Sequence, residues 1–109
     1  MASYRFLVFS NPEAGRDDEF NRWYSDQHLN DLLKIPGVTA AQRFRVADDN
    51  GQQPHRYLAL YEIETDNLDA VMADITGRFG TDAMPMTDTL DEKTLSMLSF
   101  VAITERRTG

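Results

Sequence analysis

The chain contains no cysteine, which excludes disulfides, thiolate metal centres and thiol nucleophiles. Histidine is scarce as well. His28 and His55 are the only two, and no His, Asp and Glu group at ligand spacing accompanies them, so no metal site is expected. Basic residues are few: 11 Lys and Arg stand against 18 Asp and Glu, a net charge of −7. That sign suits neither nucleic-acid phosphates nor anionic lipid headgroups, so neither is an expected partner. No apolar run approaches the ~20 residues that cross a bilayer. Arg5 interrupts the N-terminal apolar stretch and no small-residue cleavage site follows it. No secretory leader is therefore expected, and the cytoplasm is the default address. Glycine-rich phosphate loops are also missing, since Gly77-Arg78-Phe79-Gly80 reads as the exit of a helix. No nucleotide, flavin or other cofactor is expected.

What is present is an ordinary globular composition, 41% hydrophobic and 10% aromatic over 109 residues. That fits a single domain spanning residues 1–109, with no repeat or linker. Aromatic and β-branched residues predict strands at Tyr4–Ser10, Val38–Val46, Arg56–Glu64 and Met97–Glu105. A long helix is predicted from Asp17 to Leu33. Asp17, Asp18 and Glu19 suit its N-terminus, and Pro36 forces it to end by Ile35. The Asn50-Gly51 turn lies between the second and third strands and makes them an antiparallel pair. A second helix begins at Asp66 or Asn67, places Leu68, Val71, Met72 and Ile75 at helical spacing, and ends at Gly77 and Gly80. The segment 81–96 is irregular, with a short helical turn expected at Asp91-Glu92-Lys93. The order β-α-β-β-α-β predicts an α+β, ferredoxin-like fold: a four-stranded antiparallel sheet with two helices on one face.

Both faces of that sheet are apolar at their centres. In the first strand Tyr4, Phe6 and Val8 oppose Leu7 and Phe9, and in the third Tyr57, Ala59, Tyr61 and Ile63 oppose Leu58 and Leu60. Two helices can cover only one face. The other is expected to pack against a second copy in a C2 homodimer, the alternative being that loop 81–96 covers part of it.

On a wheel at about 100° per residue, with Phe20 at zero, Asp31 falls near 20°, Tyr24 near 40°, Ile35 near 60°, His28 near 80° and Leu32 near 120°. One helix face is thus apolar except for Asp31 and His28. The candidate catalytic set is His28 as proton-transfer group, Asp31 at i+3 as its orienter, and Tyr24 as hydrogen-bond donor to a substrate oxygen. The alternative is a structural histidine bonded to Asp31 or to a backbone carbonyl. Phe20, Trp23, Leu32 and Tyr61 are the expected walls of a pocket between helix and sheet. Met84-Pro85-Met86 reads either as a flexible lid or as core filling. Arg43 and Arg45 read as surface charges or as an anchor for an acidic ligand.

The run Phe20-Asn21-Arg22-Trp23-Tyr24-Ser25-Asp26-Gln27-His28-Leu29-Asn30-Asp31-Leu32-Leu33, followed by Ile35-Pro36-Gly37-Val38, resembles the EthD-like branch of the dimeric α/β-barrel superfamily. Ala41-Gln42-Arg43-Phe44-Arg45 and Tyr57-Leu58-Ala59-Leu60-Tyr61-Glu62 also fit. The resemblance implies a homodimer whose sheets pack together, with one pocket per subunit. The superfamily includes cofactor-independent monooxygenases, polyketide cyclases and dehydratases, lactone isomerases and haem-degrading enzymes, and EthD-like proteins often accompany catabolic systems. In fungal relatives the helix histidine is taken as an acid or base in dehydration, a role that would fall on His28. The Asn, Trp and His arrangement of the haem-degrading branch is not reproduced, because Trp23 lies one turn from His28 on the same helix. Two functions follow as expectations. One is a small enzyme moving protons on an apolar or aromatic carbonyl or phenolic compound, of dehydratase, isomerase, cyclase or monooxygenase type. The other is a non-catalytic dimeric module that binds such a ligand.

Overall fold

The structure is a computed structural model and describes residues 1–109. Strand β1 (Ala2–Ser10) leads into one unbroken helical segment made of α1 (Asp17–Trp23), a π-helical turn (Tyr24–His28) and α2 (Leu29–Leu33). Strands β2 (Val38–Arg45) and β3 (Tyr57–Thr65), helix α3 (Leu68–Arg78) and strand β4 (Ser96–Val101) follow. The sheet order is β2-β3-β1-β4 with every neighbouring pair antiparallel, the ferredoxin-like arrangement that the element order predicts.

Alternation along β1 turns Phe6, Val8 and Ser10 toward the helices, and their partners Tyr61, Ala59 and Tyr57 on β3 share that face. There they meet Phe20, Tyr24, Leu32 and Ile35 from the helical segment and Val71 and Ile75 from α3 in one core cluster. The helix ends follow local chemistry. Asn67 caps α3 by accepting from the Ala70 N–H at 3.1 Å. Asp17, Asp18 and Glu19 fill the first turn of α1, where the helix dipole favours negative charge. Gly37, at φ +98°, turns the chain into β2, and a Cβ there would sit 3.1 Å from Val71 Cγ2.

Several boundaries differ from the sequence prediction. β4 stops at Val101 rather than Glu105. Tyr4 pairs with Val101 and Ala102 N–H still bonds the Ser3 carbonyl, so residues beyond Ile103 run past the start of β1 at Ala2. Gly77 stays inside α3, which ends only when Phe79 turns extended (ψ 124°) and Gly80 takes φ +78°. Asp91-Glu92-Lys93 forms a turn held by Asp91 Oδ1 and the Lys93 N–H, not a helix.

Segment 81–96 lies on the helix side of the sheet, anchored by fully buried Met84 and by a bridge between Pro12 and Leu90. It does not cover the opposite face, as one reading of the sequence allowed. That outer face carries Leu7, Phe9, Leu58 and Leu60 at its centre, with Phe44, Leu98 and Phe100 at 42%, 48% and 53% exposure. An ion pair of Arg5 and Glu62 at 2.9 Å borders it.

Candidate functional site

The π-helical turn builds the site. Leu29 N–H bonds the Tyr24 carbonyl, five residues back rather than four. Residues 20, 24, 28 and 32 are spaced by four, and in an α-helix each such step overshoots a full turn by about 40°. A wider turn uses less angle per residue and offsets part of that drift. Phe20, Tyr24, His28 and Leu32 thus all stay buried on one face. Single π turns inside α-helices recur at functional sites.

This face and the sheet enclose a cavity of about 410 Å³, within the range that holds a small organic ligand. Phe6, Val8 and Tyr61 form its sheet wall, and Trp23, Tyr24, His28 and Leu32 its helix wall. Phe79 closes one side from the end of α3, and segment 81–95 contributes Met86, Leu90, Glu92 and Leu95. Met97 of β4 completes it. Of the residues named from sequence, Trp23, Tyr24, His28, Leu32 and Tyr61 line the cavity. Phe20 does not reach it and sits behind Tyr24, ring centroids 5.5 Å apart. Asp31 does not line it either. It is 7% exposed with Oδ2 unpartnered, and no hydrogen bond joins it to His28.

His28 is 5% exposed and lies in an aromatic clamp. Its ring stacks on Trp23 at 4.5 Å and 24°, meets Tyr24 edge-on at 5.1 Å, and has Phe79 at 6.3 Å. Nδ1 is buried without a hydrogen-bond partner. Burial pushes the imidazole down from 6.5 to about 4, because the charged form loses its water, so the ring is neutral at pH 7. Trp23 is fixed in turn by its indole N–H, which donates to the Pro85 carbonyl at 3.1 Å. That bond divides the Met-Pro-Met segment into a core anchor, Met84, and a cavity wall, Met86.

The two tyrosines are donors. Burial raises the Tyr24 phenol, with the Tyr61 hydroxyl and the Arg43 charge working the other way. Burial raises Tyr61 well above the ordinary phenol range. Both stay protonated at neutral pH. Tyr61 Oη is buried and makes no hydrogen bond of good distance and angle, although the Tyr24 phenol lies close enough to act on it both electrostatically and as a loose hydrogen-bonding neighbour.

Arg43 is neither a surface charge nor a direct wall of the cavity. It faces the helices from β2, its guanidinium 4.6 Å over the Tyr24 ring and 5.5 Å from Phe20 and Tyr57. It donates to Ser25 Oγ and Asn21 Oδ1, each at 2.8 Å. No carboxylate pairs with it, so this half-buried cation is held by aromatic faces and neutral oxygens. Sequence reasoning missed Phe79, Leu90, Glu92, Leu95 and Met97. Strand parity groups Phe6 and Val8 on one face but does not say which face meets the helices.

No family model matches the chain, and no curated protein matches it in sequence. Solved structures do match its shape. An ethyl tert-butyl ether D (EthD) family protein from Bacillus halodurans C-125 is similar at 18% identity and a TM-score of 0.61, over 92% of this chain and 97% of that one. A variant of MhuD with two manganese protoporphyrin IX molecules bound per active site is similar at 17% identity and a TM-score of 0.64, over 96% and 99%. A candidate monooxygenase from Shewanella loihica PV-4 is similar at 9% identity and 0.60, over 98% and 99%. The chain therefore shares its ferredoxin-like fold with these proteins. Porphyrin needs a separate test of fit, since it carries carboxylates. No Lys or Arg lines this cavity, and its one ionic side chain is Glu92, so these residues do not fit a tetrapyrrole. No helix of the chain is long and apolar enough to cross a membrane.

Proposed function

We propose that the chain is a small homodimeric enzyme that moves a proton on an apolar or aromatic carbonyl or phenolic compound, with His28 as the base. One observation carries this reading. A neutral imidazole with an unpartnered Nδ1 and a protonated Tyr61 hydroxyl with no directed bond line the same apolar cavity. Buried polar atoms normally find partners, and a bound ligand supplies them here.

In the proposed step a C–H bond beside a carbonyl breaks. The proton passes to the imidazole and the electron pair moves onto the carbonyl oxygen. Tyr61, with Tyr24 beside it, donates to that oxyanion. An imidazole held near 4 is a weak base in the empty cavity. It gains basicity as the oxyanion forms, because the new negative charge offsets the cost of burying the imidazolium. Dehydration, isomerisation, cyclisation and oxygenation of an activated substrate can all begin this way. Asp31, lacking a bond to His28, has no orienting role in this scheme.

The second reading is a dimeric module that binds such a ligand without turning it over, and the low basicity of His28 favours it. One experiment separates them. Aromatic ketones are incubated with the protein in deuterated water, and exchange at the carbon next to the carbonyl is followed by NMR. Loss of general-base help costs ~10²–10⁴-fold, so His28→Ala should lose exchange by that factor. Exchange unaffected by His28→Ala overturns the enzyme reading, and binding without exchange leaves the module.

The second subunit is proposed from the outer face. Leu7, Leu60 and Leu98 form a row across three strands, flanked by exposed Phe44 and Phe100. Covering so contiguous a patch with its own copy removes it from water. Light scattering should return about twice the 12.4 kDa chain mass. A monomer at micromolar concentration overturns the assembly.

A further inference from the structure

We propose that the cavity takes a neutral molecule with a single ketone, aldehyde or phenol oxygen, bound by the Tyr61 hydroxyl, and that it rejects carboxylates and phosphates. This rests on reading the cavity as the ligand site, but not on any proton transfer there.

The charge distribution around the cavity argues for it. Eleven of the fourteen lining residues are hydrophobic, and none is a Lys or Arg. His28 supplies no positive charge, since burial keeps it neutral at pH 7. Arg43 lies closest in spirit to an anion anchor, but it is committed elsewhere. Its two terminal nitrogens bond Asn21 and Ser25, and its charge rests on the Tyr24 ring outside the lining. An anion entering the cavity would shed water and meet no cation in the lining, since Arg43 acts on Tyr24 and Tyr61 only from behind the aromatic wall, and that is penalised.

The opening adds repulsion. Glu92 is the one ionic lining residue and is solvent-exposed, so it stands at the mouth. The segment that carries it holds Asp82 and Asp91 as well, against Lys93, while Asp88 is paired with Arg16 at 2.9 Å, in a chain of net charge −7. An anionic ligand therefore approaches against a like-signed field, and a neutral one does not.

Inside, the unmet polar capacity is small and specific. Tyr61 Oη is a buried donor without a directed partner, and His28 Nδ1 is the other orphaned atom of the lining. Two polar atoms in an otherwise apolar lining satisfy one oxygen-bearing group, not a sugar or a polyol. A polar site left unpaired by an analogue lacking that oxygen discriminates against it.

The test uses three flat probes of like shape: acetophenone, α-methylstyrene and benzoate. Trp23 is the only tryptophan and lines the cavity, so its single indole N–H resonance reports occupancy in an NMR titration. Acetophenone should bind on the order of tenfold tighter than α-methylstyrene and than benzoate. Tyr61→Phe should weaken acetophenone about three- to tenfold and leave α-methylstyrene unchanged. Glu92→Gln should bring benzoate severalfold closer to acetophenone. Benzoate binding as tightly as acetophenone overturns the proposal. So does an unchanged ketone-to-alkene ratio in Tyr61→Phe, and so does failure of all three probes to move the indole resonance. Binding of acetophenone without deuterium exchange beside its carbonyl would support this ligand class while removing the enzymatic reading, so the two fail separately.

Discussion

Lowering the pH from about 7.5 to 4 forces a proton onto a histidine that the folded chain keeps inside an aromatic clamp. In the unfolded chain His28 is solvated and titrates near 6.5, whereas in the fold it titrates at about 4. The folded value is the lower one, so the stabilising contribution is fully present above 6.5 and is lost as the pH falls toward 4. At 1.36 kcal/mol per pKa unit the whole loss is about 3 kcal/mol, and about 2 kcal/mol of it is gone by pH 5. That is a large part of the ~5–15 kcal/mol that holds a domain of this kind together. The assay is urea unfolding at half-unit pH steps, comparing wild type with His28→Phe at one fixed protein concentration, because a dimer's stability depends on concentration. Acidic groups elsewhere titrate in both proteins and cancel in the difference. The wild type should lose about 3 kcal/mol more than the variant across the window. Parallel curves between pH 4 and 6.5 refute the reasoning, as does a His28 ring resonance that titrates near 6.5.

Three further outcomes are expected. Arg43→Gln should destabilise by about 1–2 kcal/mol in urea, through lost bonds to Asn21 and Ser25 and the lost contact with Tyr24. Arg43→Lys should not restore it, since a point charge cannot hold Asn21 and Ser25 together; full rescue by Lys would show that charge alone matters. Gly37→Ala should cost more than Gly51→Ala in thermal unfolding, because both sit at positive φ but only Gly37 has Val71 in the way at 3.1 Å. Asn67→Ala should lower stability by about 1 kcal/mol by removing the cap on Ala70, and Asn67→Asp should recover most of it.

The helix face was legible because burial follows helical periodicity: Phe20, Tyr24, His28, Leu32 and Ile35 share one stripe on paper and in the fold. The sheet order followed from the element sequence and the hairpin. Two parts were not legible. A wheel projects directions and says nothing of whether two polar heads touch, so Asp31 and His28 share an arc without sharing a bond. The far half of the cavity comes from segment 81–95, which lacks any periodicity to read. Its path is set by scattered contacts, among them Asn11 Nδ2 on Thr94 Oγ1, and buried Met84. Arg43 was misjudged because its residue type shows neither the sheet face it takes nor the aromatic surface that holds it there.

The π-helical turn has an evolutionary corollary. A ring closed by an i→i+5 bond holds one residue more than an α-helical ring does, so Tyr24–His28 has the form of an insertion that the helix absorbed without breaking. Removing one residue from this stretch would let the helix run α-helical throughout and would leave Leu32, Ile35 and the Pro36-Gly37 turn in register, because the wide turn alone holds the extra residue. An α-helical ancestor therefore acquires the extra residue in one event without disturbing its core, and what changes is confined to the stretch that holds the His28 clamp.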